Sequence, residues 1–322
     1  MTITKPKLVT VFGGSGFIGR YVVRALTKRG YRVRVAVRHP ELAFHLQPLG
    51  GVGQIQAVQA NLRYRWSVDR AVAGSDHVIN LVGLLFEGGN QKFGTVHDFG
   101  ARAVAEACRA AGVPLTHMSA LGADPKSHSA YASTKGRAEA AVRDILPDAV
   151  IVRPSIVFGP EDNFFNKFAN MARLSPFLPL IGGGHTKFQP VYVGDVAEVI
   201  ARSVDGALKP GETYELGGNE VLTFKQCLDI VLRVIGRKRW FVSLPFWVAR
   251  LQGRIMGMLP NPMLTRDQVL LLQKDNVVSH AAKAEGRTLE GLGIQPETVE
   301  IILPSYLWRF RVHGQYSAQK PA

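Results

Sequence analysis

Cysteine is nearly missing from this chain: among 322 residues only Cys108 and Cys227 occur, each inside a helical pattern. Two thiols so placed form neither a disulfide framework nor a metal-ligand set, and they suit a reducing compartment. Long apolar runs are missing too. No stretch reaches the roughly 18 apolar residues of a membrane span, so no transmembrane segment is expected. The opening MTITKPKLVTVF passes straight into a strand pattern, which leads us to expect no signal peptide and no presequence. There is no internal repeat and no low-complexity tract. Acids are scarce, with 25 Asp and Glu against 39 Lys and Arg, for a net charge of +14. That imbalance favours anionic company: a phosphorylated cofactor, lipid headgroups, an acidic partner or nucleic acid. Nucleic acid is not expected, because the cations are dispersed and no helix-turn-helix, RNP or zinc-finger signature is present.

What is present is an alternation of apolar runs and helical patterns. KLVTVF, YRVRVAV, IQAVQA, HVINLVG, PLTHMSA and DAVIVRP read as six strands. Helices are predicted over residues 17–29, 93–112 and 130–146, the first two closed by Gly30 and Gly112. ETYELGG reads as a further strand returning to the same sheet. Strands and helices alternating at these lengths predict an α/β fold, a Rossmann-like doubly wound parallel sheet, with ligands at the carboxyl ends of its strands. We place this α/β domain at residues 1–218, with residues 160–190 looping out toward a second lobe, which is smaller, mainly helical and spans 219–322. The Pro/Gly-rich stretch 175–191 reads as a loop, a helix is expected to start at Asp195, and the tail 317–322 is expected to fray.

Gly13, Gly16 and Gly19 stand three apart between the first strand and the first helix. The first suits a tight turn at positive φ, the second lets backbone approach a pyrophosphate, and the third lets helix pack on strand. The amides of Gly16, Phe17 and Ile18 are expected to face phosphate oxygens at the positive end of the helix. The second strand then ends in Arg38, followed by His39, where a carboxylate would bind the adenosine ribose and repel a 2′-phosphate. A guanidinium there predicts NADPH in preference to NAD, with Arg20 assisting. The alternative, a solvated charge on a basic surface, stays open. Further on, YASTK sets Tyr131 and Lys135 one helical turn apart. An ammonium beside a tyrosine lowers the phenol's pKa, so the pair suits proton transfer, with Ser119 orienting a substrate oxygen. A second reading, in which both side chains only hold the cofactor ribose, also stays open.

Together these residues resemble the extended short-chain dehydrogenase/reductase superfamily over roughly residues 8–220. VFGGSGFIG is similar to its nucleotide loop, NLVG to its fourth-strand segment under the adenosine, YASTK to its catalytic helix and RPSIVFGP to the loop at the nicotinamide end. The resemblance implies cofactor contacts at Asn61, Leu62, Leu81, Val82, Gly83, Pro154 and Ile156, besides those named above. Within the superfamily, GNQKFGTVHDFGARAVAEA, FGPEDNFFNKFANMARLSPFLPLIGGGHTKFQPVYVGDVA and LTRDQVLLLQKDNVVS resemble the branch containing the nucleotide-binding accessory subunit of respiratory complex I. That narrower resemblance implies an NADPH held rather than turned over. It also implies docking on core subunits near the quinone module, on the cytoplasmic face of a bacterial inner membrane. Two departures bear on turnover: His97 stands where extended enzymes usually carry Asn, and the interval from Ser119 to Tyr131 is short. A free-standing NADP-dependent reductase, epimerase or dehydratase is the alternative, and a dinucleotide sensor acting through protein contacts is a third reading.

In the second lobe, Pro245 precedes a helical pattern with Trp247, Val248, Leu251, Ile255 and Met258 at apolar spacing and Arg250 and Arg254 between them. IGRKRWF lies just upstream, and PSYLWRFRVHGQY near the end has the same mixed character. Such a helix suits lipid headgroups or a partner protein. An ordinary helix packed on the dinucleotide-binding domain is the other reading.

Overall fold

The structure, a computed structural model, describes residues 6–89, 91–257, 262 and 264–312. The chain divides into two compact units: Met1–Pro154 with Gly194–Leu216, and Ser155–Val193 with Gly217–Ala322.

The first unit is built on β1 (Leu8–Phe12), β2 (Arg32–Val37), β3 (Ile55–Gln59), β4 (His77–Asn80), β5 (Leu115–Met118) and β6 (Val150–Pro154), closed by the strand Thr213–Leu216. All pairings are parallel, and from one edge the order runs Thr213–Leu216, β6, β5, β4, β1, β2, β3. Chain direction across the sheet reverses between β1 and β4, which opens a crevice beyond their carboxyl ends. These strands are covered on both faces, so they need unbroken apolar runs. Val9, Val11, Val33, Val35, Val78, Ile79, Ile151 and Val152 supply them, all at most 1% exposed.

Helices α1 (Phe17–Lys28), α2 (Arg65–Val72), α3 (Gly100–Ala111) and α4 (Ala130–Ile145) cover the sheet, joined by the helix Val193–Val204. The facing residues of α3 and α4 are small: Ala101, Ala105, Ala138 and Val142 pack with Phe12, Leu62, Val68 and Leu115 in one core. Small contact residues bring helix axes close to the sheet and so carry their polar side chains into the strand ends. The predicted helix over 93–112 divides in two, a wide π turn at Gly94–Phe99 and then α3. Helix α2 has no counterpart in the sequence reading; its eight residues open on Arg65 and Trp66, too short and polar for a periodic signal. The helix expected at Asp195 begins two residues earlier, at Val193.

In the second unit, the helices Phe165–Leu174 and Phe224–Ile235 enclose Phe158, Leu178, Cys227, Val231, Leu303 and Leu307. Asp162 is tied there by Tyr306, whose hydroxyl donates to Oδ2 at 2.5 Å. Two expectations are corrected. Residues 155–193, counted with the first domain on sequence although 160–190 were expected to loop out toward the second lobe, group with this unit. The stretch 175–191, read as a loop, contains the strand Phe177–Ile181, paired in parallel with Trp240–Leu244. Pro179 disguised it, since proline lacks a ladder donor, but a two-stranded pair consists only of edges and tolerates one. Both cysteines are buried and free, and burial pushes each thiol up to about 12. Among the described residues, no helix is long and apolar enough to cross a membrane. Met258, the tail 317–322 and the end of PSYLWRFRVHGQY lie outside the described residues.

Candidate functional site

The glycine loop follows β1. Gly13 takes φ 78° and its amide donates to the Ala36 carbonyl at 3.2 Å. A Cβ there would stand 3.3 Å from the backbone of Leu81 and Val82, so the loop lies directly on the segment leaving β4. A Cβ at Gly19 would fall 2.4 Å from the Gly13 oxygen, which makes glycine obligatory for α1 to start where it does. Gly16 caps α1 without a side chain, and the first turn holds no acid. One expectation changes here: the Gly16 amide is not directed outward but donates to the Gly13 carbonyl at 3.1 Å. The outward donors are the amides of Phe17, Ile18 and Gly19, which have no backbone acceptor because the ladder starts at Arg20, whose amide donates to Gly16. Three such amides at a helix start, with no acid in the first turn, fit a phosphate group.

Arg38 leaves the end of β2 exposed. With the Gln91 amide oxygen turned toward it, Arg38 donates to that oxygen through Nη1 at 2.5 Å and Nη2 at 3.2 Å. Among the described residues it pairs with no carboxylate, whereas neighbouring His39 meets Glu41 at 3.1 Å. A neutral partner leaves the guanidinium charge uncompensated, which is the property a phosphate site needs.

Beyond β4 the backbone is set by Asn80, whose Oδ1 accepts the Val82 amide at 3.1 Å. Leu81 is buried and Val82 half-buried, and Gly83 faces Lys135, with its Cβ position 3.3 Å from Nζ. Lys135 itself is only 4% exposed and donates to the Met118 carbonyl at 3.1 Å. Its ammonium therefore sits among the carboxyl ends of β4 and β5. Burial pulls its pKa down to about 8 against the opposing pull of Glu139 one turn later. Glu139 is buried and gripped by Arg153, whose Nε meets Oε1 at 2.9 Å and whose Nη2 meets Oε2 at 2.5 Å; Glu215 stands 3.6 Å from the same guanidinium. Two carboxylates and two cations thus form one neutral array reaching from the sheet edge to the site.

Sequence reasoning treated His97 only as a departure, and the geometry gives it a part. It lies in the π turn, a feature that often marks functional positions. Its Nε2 accepts the Leu84 amide at 2.9 Å, so the proton resides on Nδ1, which faces Thr134 Oγ1 at 3.1 Å. One imidazole therefore links the loop after β4 to α4. Burial, with Lys135 and His117 nearby, drives its pKa down to about 3 and keeps the ring neutral. The ring stacks on Phe93 at 5.3 Å and meets Tyr131 edge-on at 5.6 Å, so Tyr131 is walled by two rings. The sequence reading gave Phe93 and His117 no role and took Asn80 only as the first residue of NLVG. His117 is buried beside Lys135, and Nδ1 faces the Asn80 amide at 3.3 Å. Nothing in the spacing of these residues marks them; only the convergence of β4, β5 and the π turn does.

Ser119, just past β5, is 4% exposed, and its Oγ has no hydrogen-bond partner among the described residues. A buried hydroxyl left this way fits a ligand oxygen. Asn61 turns the chain after β3, its Oδ1 accepting the Arg63 amide at 3.1 Å. Leu62 is a core side chain packed on Gly100, which leaves only backbone for a cofactor. Arg20 lies half-buried in the first turn of α1. Pro154 ends β6 in the first unit, while Ile156 belongs to the second and packs with Phe224 and Leu228.

The family model described as "NAD dependent epimerase/dehydratase family" matches residues 9–217. The chain is 36% identical over 327 residues to NADH dehydrogenase (ubiquinone) 1 alpha subcomplex subunit 9, mitochondrial, of Rattus norvegicus, covering 98% of this chain and 84% of that one. The Arabidopsis thaliana protein of the same name is 36% identical over 288 residues, 85% and 72% of the two chains. Among solved structures, the NADPH-dependent quinone oxidoreductase QOR2 of Escherichia coli, complexed with NADPH, superposes with a TM-score of 0.72 at 20% identity, covering 91% of this chain and 97% of that one. The last likeness bears on fold alone.

Proposed function

The chain belongs to the NAD dependent epimerase/dehydratase family, its first unit is an NAD(P)-binding fold, and on that footing we propose that it is a nucleotide-binding accessory subunit of a respiratory NADH:ubiquinone oxidoreductase, holding NADPH rather than consuming it. The observation that carries the reading is the extent of the match. At 36% identity it runs through 98% of this chain, so it includes the second unit as well as the dinucleotide fold. The partners are core subunits of the peripheral arm near the quinone module, and the location is the cytoplasmic face of a bacterial inner membrane.

Phe17, Ile18 and Gly19 amides hold the diphosphate, Arg38 with Arg20 recognises the 2′-phosphate, the Leu81–Gly83 backbone borders the adenosine, and Tyr131 and Lys135 hold the nicotinamide ribose. A bound NADPH would supply hydride chemistry. Around it, His97 fixes Tyr131 and the loop after β4, and the four-charge array keeps the Lys135 ammonium in place without net charge. Native purification with mass spectrometry of nucleotide and accompanying chains tests the proposal. NADPH and peripheral-arm subunits are expected together; a protein recovered from gently solubilised membranes entirely free of those subunits would overturn it. Calorimetry tests the phosphate reading: Arg38→Ala should weaken NADPH at least tenfold and leave NADH unchanged, and equal loss for both removes Arg38 from the role.

One observation favours a second reading, turnover as a free-standing NADP-dependent reductase, epimerase or dehydratase. Ser119 keeps a buried hydroxyl without a hydrogen-bond partner among the described residues, and Tyr131 and Lys135 are both present. On that reading Tyr131→Phe abolishes a reaction while NADPH stays bound.

A further inference from the structure

The helix Phe246–Met256 is turned inside out. Its packed side is made of its smallest residues, Ala249 and Gly253, and a Cβ on Gly253 would strike the Arg266 backbone at 2.7 Å. Phe246 at its start also packs, on Ile181 and Val269, but three large apolar residues point to solvent: Trp247 is 66% exposed, Leu251 55% and Ile255 65%. Spaced four apart, the three form one stripe along the helix. Arg250 and Arg254, also exposed, border that stripe. This settles one question from the sequence: the apolar face is not the face that packs.

Charge around the helix is equally one-sided. Between Asp229 and Asp267 the chain carries seven cations and no acid, half of the net charge of +14 within 37 residues; one of the seven, Arg233, is paired with Glu300 at 2.9 Å. Arg237 and Arg239 each give Nε to a backbone carbonyl, of Phe310 at 3.1 Å and Ala172 at 2.7 Å, so both are held in place without a carboxylate. Burial and the neighbouring Arg239 and Arg173 lower the proton affinity of Arg237, the mark of cations gathered without counter-ions. Trp240, 69% exposed, follows directly on this cluster and stacks near Phe177 at 5.5 Å.

We infer that the helix Phe246–Met256, with the basic segment preceding it, lies in the interfacial layer of an anionic lipid surface. Lipid supplies every complement at once. Phosphate headgroups answer a basic stretch with no acid in it, the amphipathic boundary accommodates exposed indoles, and acyl chains receive Leu251 and Ile255. Arginines flanking the stripe keep their heads in the phosphate layer while their stems cover apolar surface. An acidic protein would match the charge but not the row of aliphatic and indole side chains facing outward. The inference rests on the reading above only for the membrane on which the face lies; its chemistry stands apart from the dinucleotide site.

The test is vesicle flotation of the purified full chain. It should float with phosphatidylcholine vesicles containing phosphatidylglycerol and not with phosphatidylcholine alone, and binding should weaken as salt rises. Trp247→Ser/Leu251→Ser/Ile255→Ser, whose positions are already in water, should keep the thermal transition and lose at least tenfold in vesicle affinity. Arg250→Gln/Arg254→Gln should keep the apolar stripe and lose about thirtyfold on anionic vesicles only. No flotation on anionic vesicles, or flotation unaltered in the triple variant, overturns the inference. So does a triple variant that binds vesicles normally but sheds co-purifying protein chains, since that face then takes a protein. Any of these results leaves membership of the respiratory complex to be decided by co-purification.

Discussion

Helix α4 and the helix Phe246–Met256 break the burial rule in opposite directions. Both turn small residues inward: Ala132, Gly136, Ala138 and Ala141 on one, Ala249 and Gly253 on the other. On α4 the closeness draws charges in, so Lys135 and Glu139 are buried at 4% and 6% exposure. On the second helix it leaves Trp247, Leu251 and Ile255 outside. A buried charge and a solvated row of large hydrophobes are each unfavourable for a chain folding alone. The two helices teach that close packing by alanine and glycine has no fixed consequence. What matters is which long side chains flank the contact, and where those are misplaced the chain has a ligand or a surface to meet.

The largest expected effect breaks the symmetry between the two. Arg153→Met strips Glu139 of its bidentate partner and leaves a carboxylate buried, so unfolding free energy should fall by about 3 kcal/mol in urea titration. Arg254→Met on the exposed helix should change it by less than about 0.5 kcal/mol. If the two cost the same, the array around α4 is not a buried one. Next come the glycines at each contact. A Cβ on Gly136 would lie 2.4 Å from the Pro125 nitrogen, and one on Gly253 lies 2.7 Å from the Arg266 nitrogen. Gly136→Ala should cost about 2 kcal/mol and Gly253→Ala about 1, each a steric penalty less the helical gain of alanine. The reverse order in thermal melts would place the tighter contact on the wrong helix.

These contrasts also show where the sequence could be read and where it could not. The parallel sheet was legible because strands buried on both faces carry unbroken β-branched runs, and Gly13, Gly16 and Gly19 fall at a strand-to-helix junction. Tyr131 and Lys135 fall one turn apart in α4, the helix that their spacing predicted. The Gly16 amide was misassigned because turn chemistry consumes it locally. His97, His117 and Asn80 were not recognised as one cluster because it is assembled from β4, β5 and the π turn, elements 17 to 37 residues apart along the chain. In the second unit, Phe177–Ile181 pairs with Trp240–Leu244, a partner too distant for local pattern and masked by Pro179. The stripe on Phe246–Met256 was visible as periodicity, but periodicity states that a helix has an apolar face and not what covers it.

A smaller effect sharpens the buried half of the comparison through pH. Burial lowers the Lys135 pKa from 10.5 to about 8, so the folded state releases this proton before the unfolded chain does. Between pH 8 and 10.5 the unfolded state binds more protons at this site, and stability contributed by Lys135 therefore rises with pH through that window. Below pH 8 both states are protonated and the penalty of the buried charge is complete. Relative to Lys135→Met, the wild-type protein should gain about 2.5 kcal/mol between pH 8 and 10.5. A parallel pair of stability curves would mean that the ammonium is solvated and that α4 does not bury it.

The smallest expected effect concerns His97, where the side chain linking α4 to the loop after β4 differs from the asparagine usual in extended enzymes. His97→Asn retains an acceptor for one partner, but the shorter side chain cannot span from the Leu84 amide to Thr134, which the imidazole reaches at 2.9 and 3.1 Å. One hydrogen bond and the stack on Phe93 are lost, which should lower stability by about 1 kcal/mol. Because the imidazole is neutral down to about pH 3, this loss should be the same at pH 5 and pH 8. A loss that grows on acidification would reveal a protonated ring and a charge beside Lys135. The substitution also frees the Tyr131 ring on one side, so the tyrosine should become more mobile while Lys135 stays fixed by the Met118 carbonyl. Ring-flip broadening of Tyr131 in aromatic NMR spectra separates the two: a mobile tyrosine beside an immobile lysine is expected of a histidine that positions the phenol and leaves the charge alone.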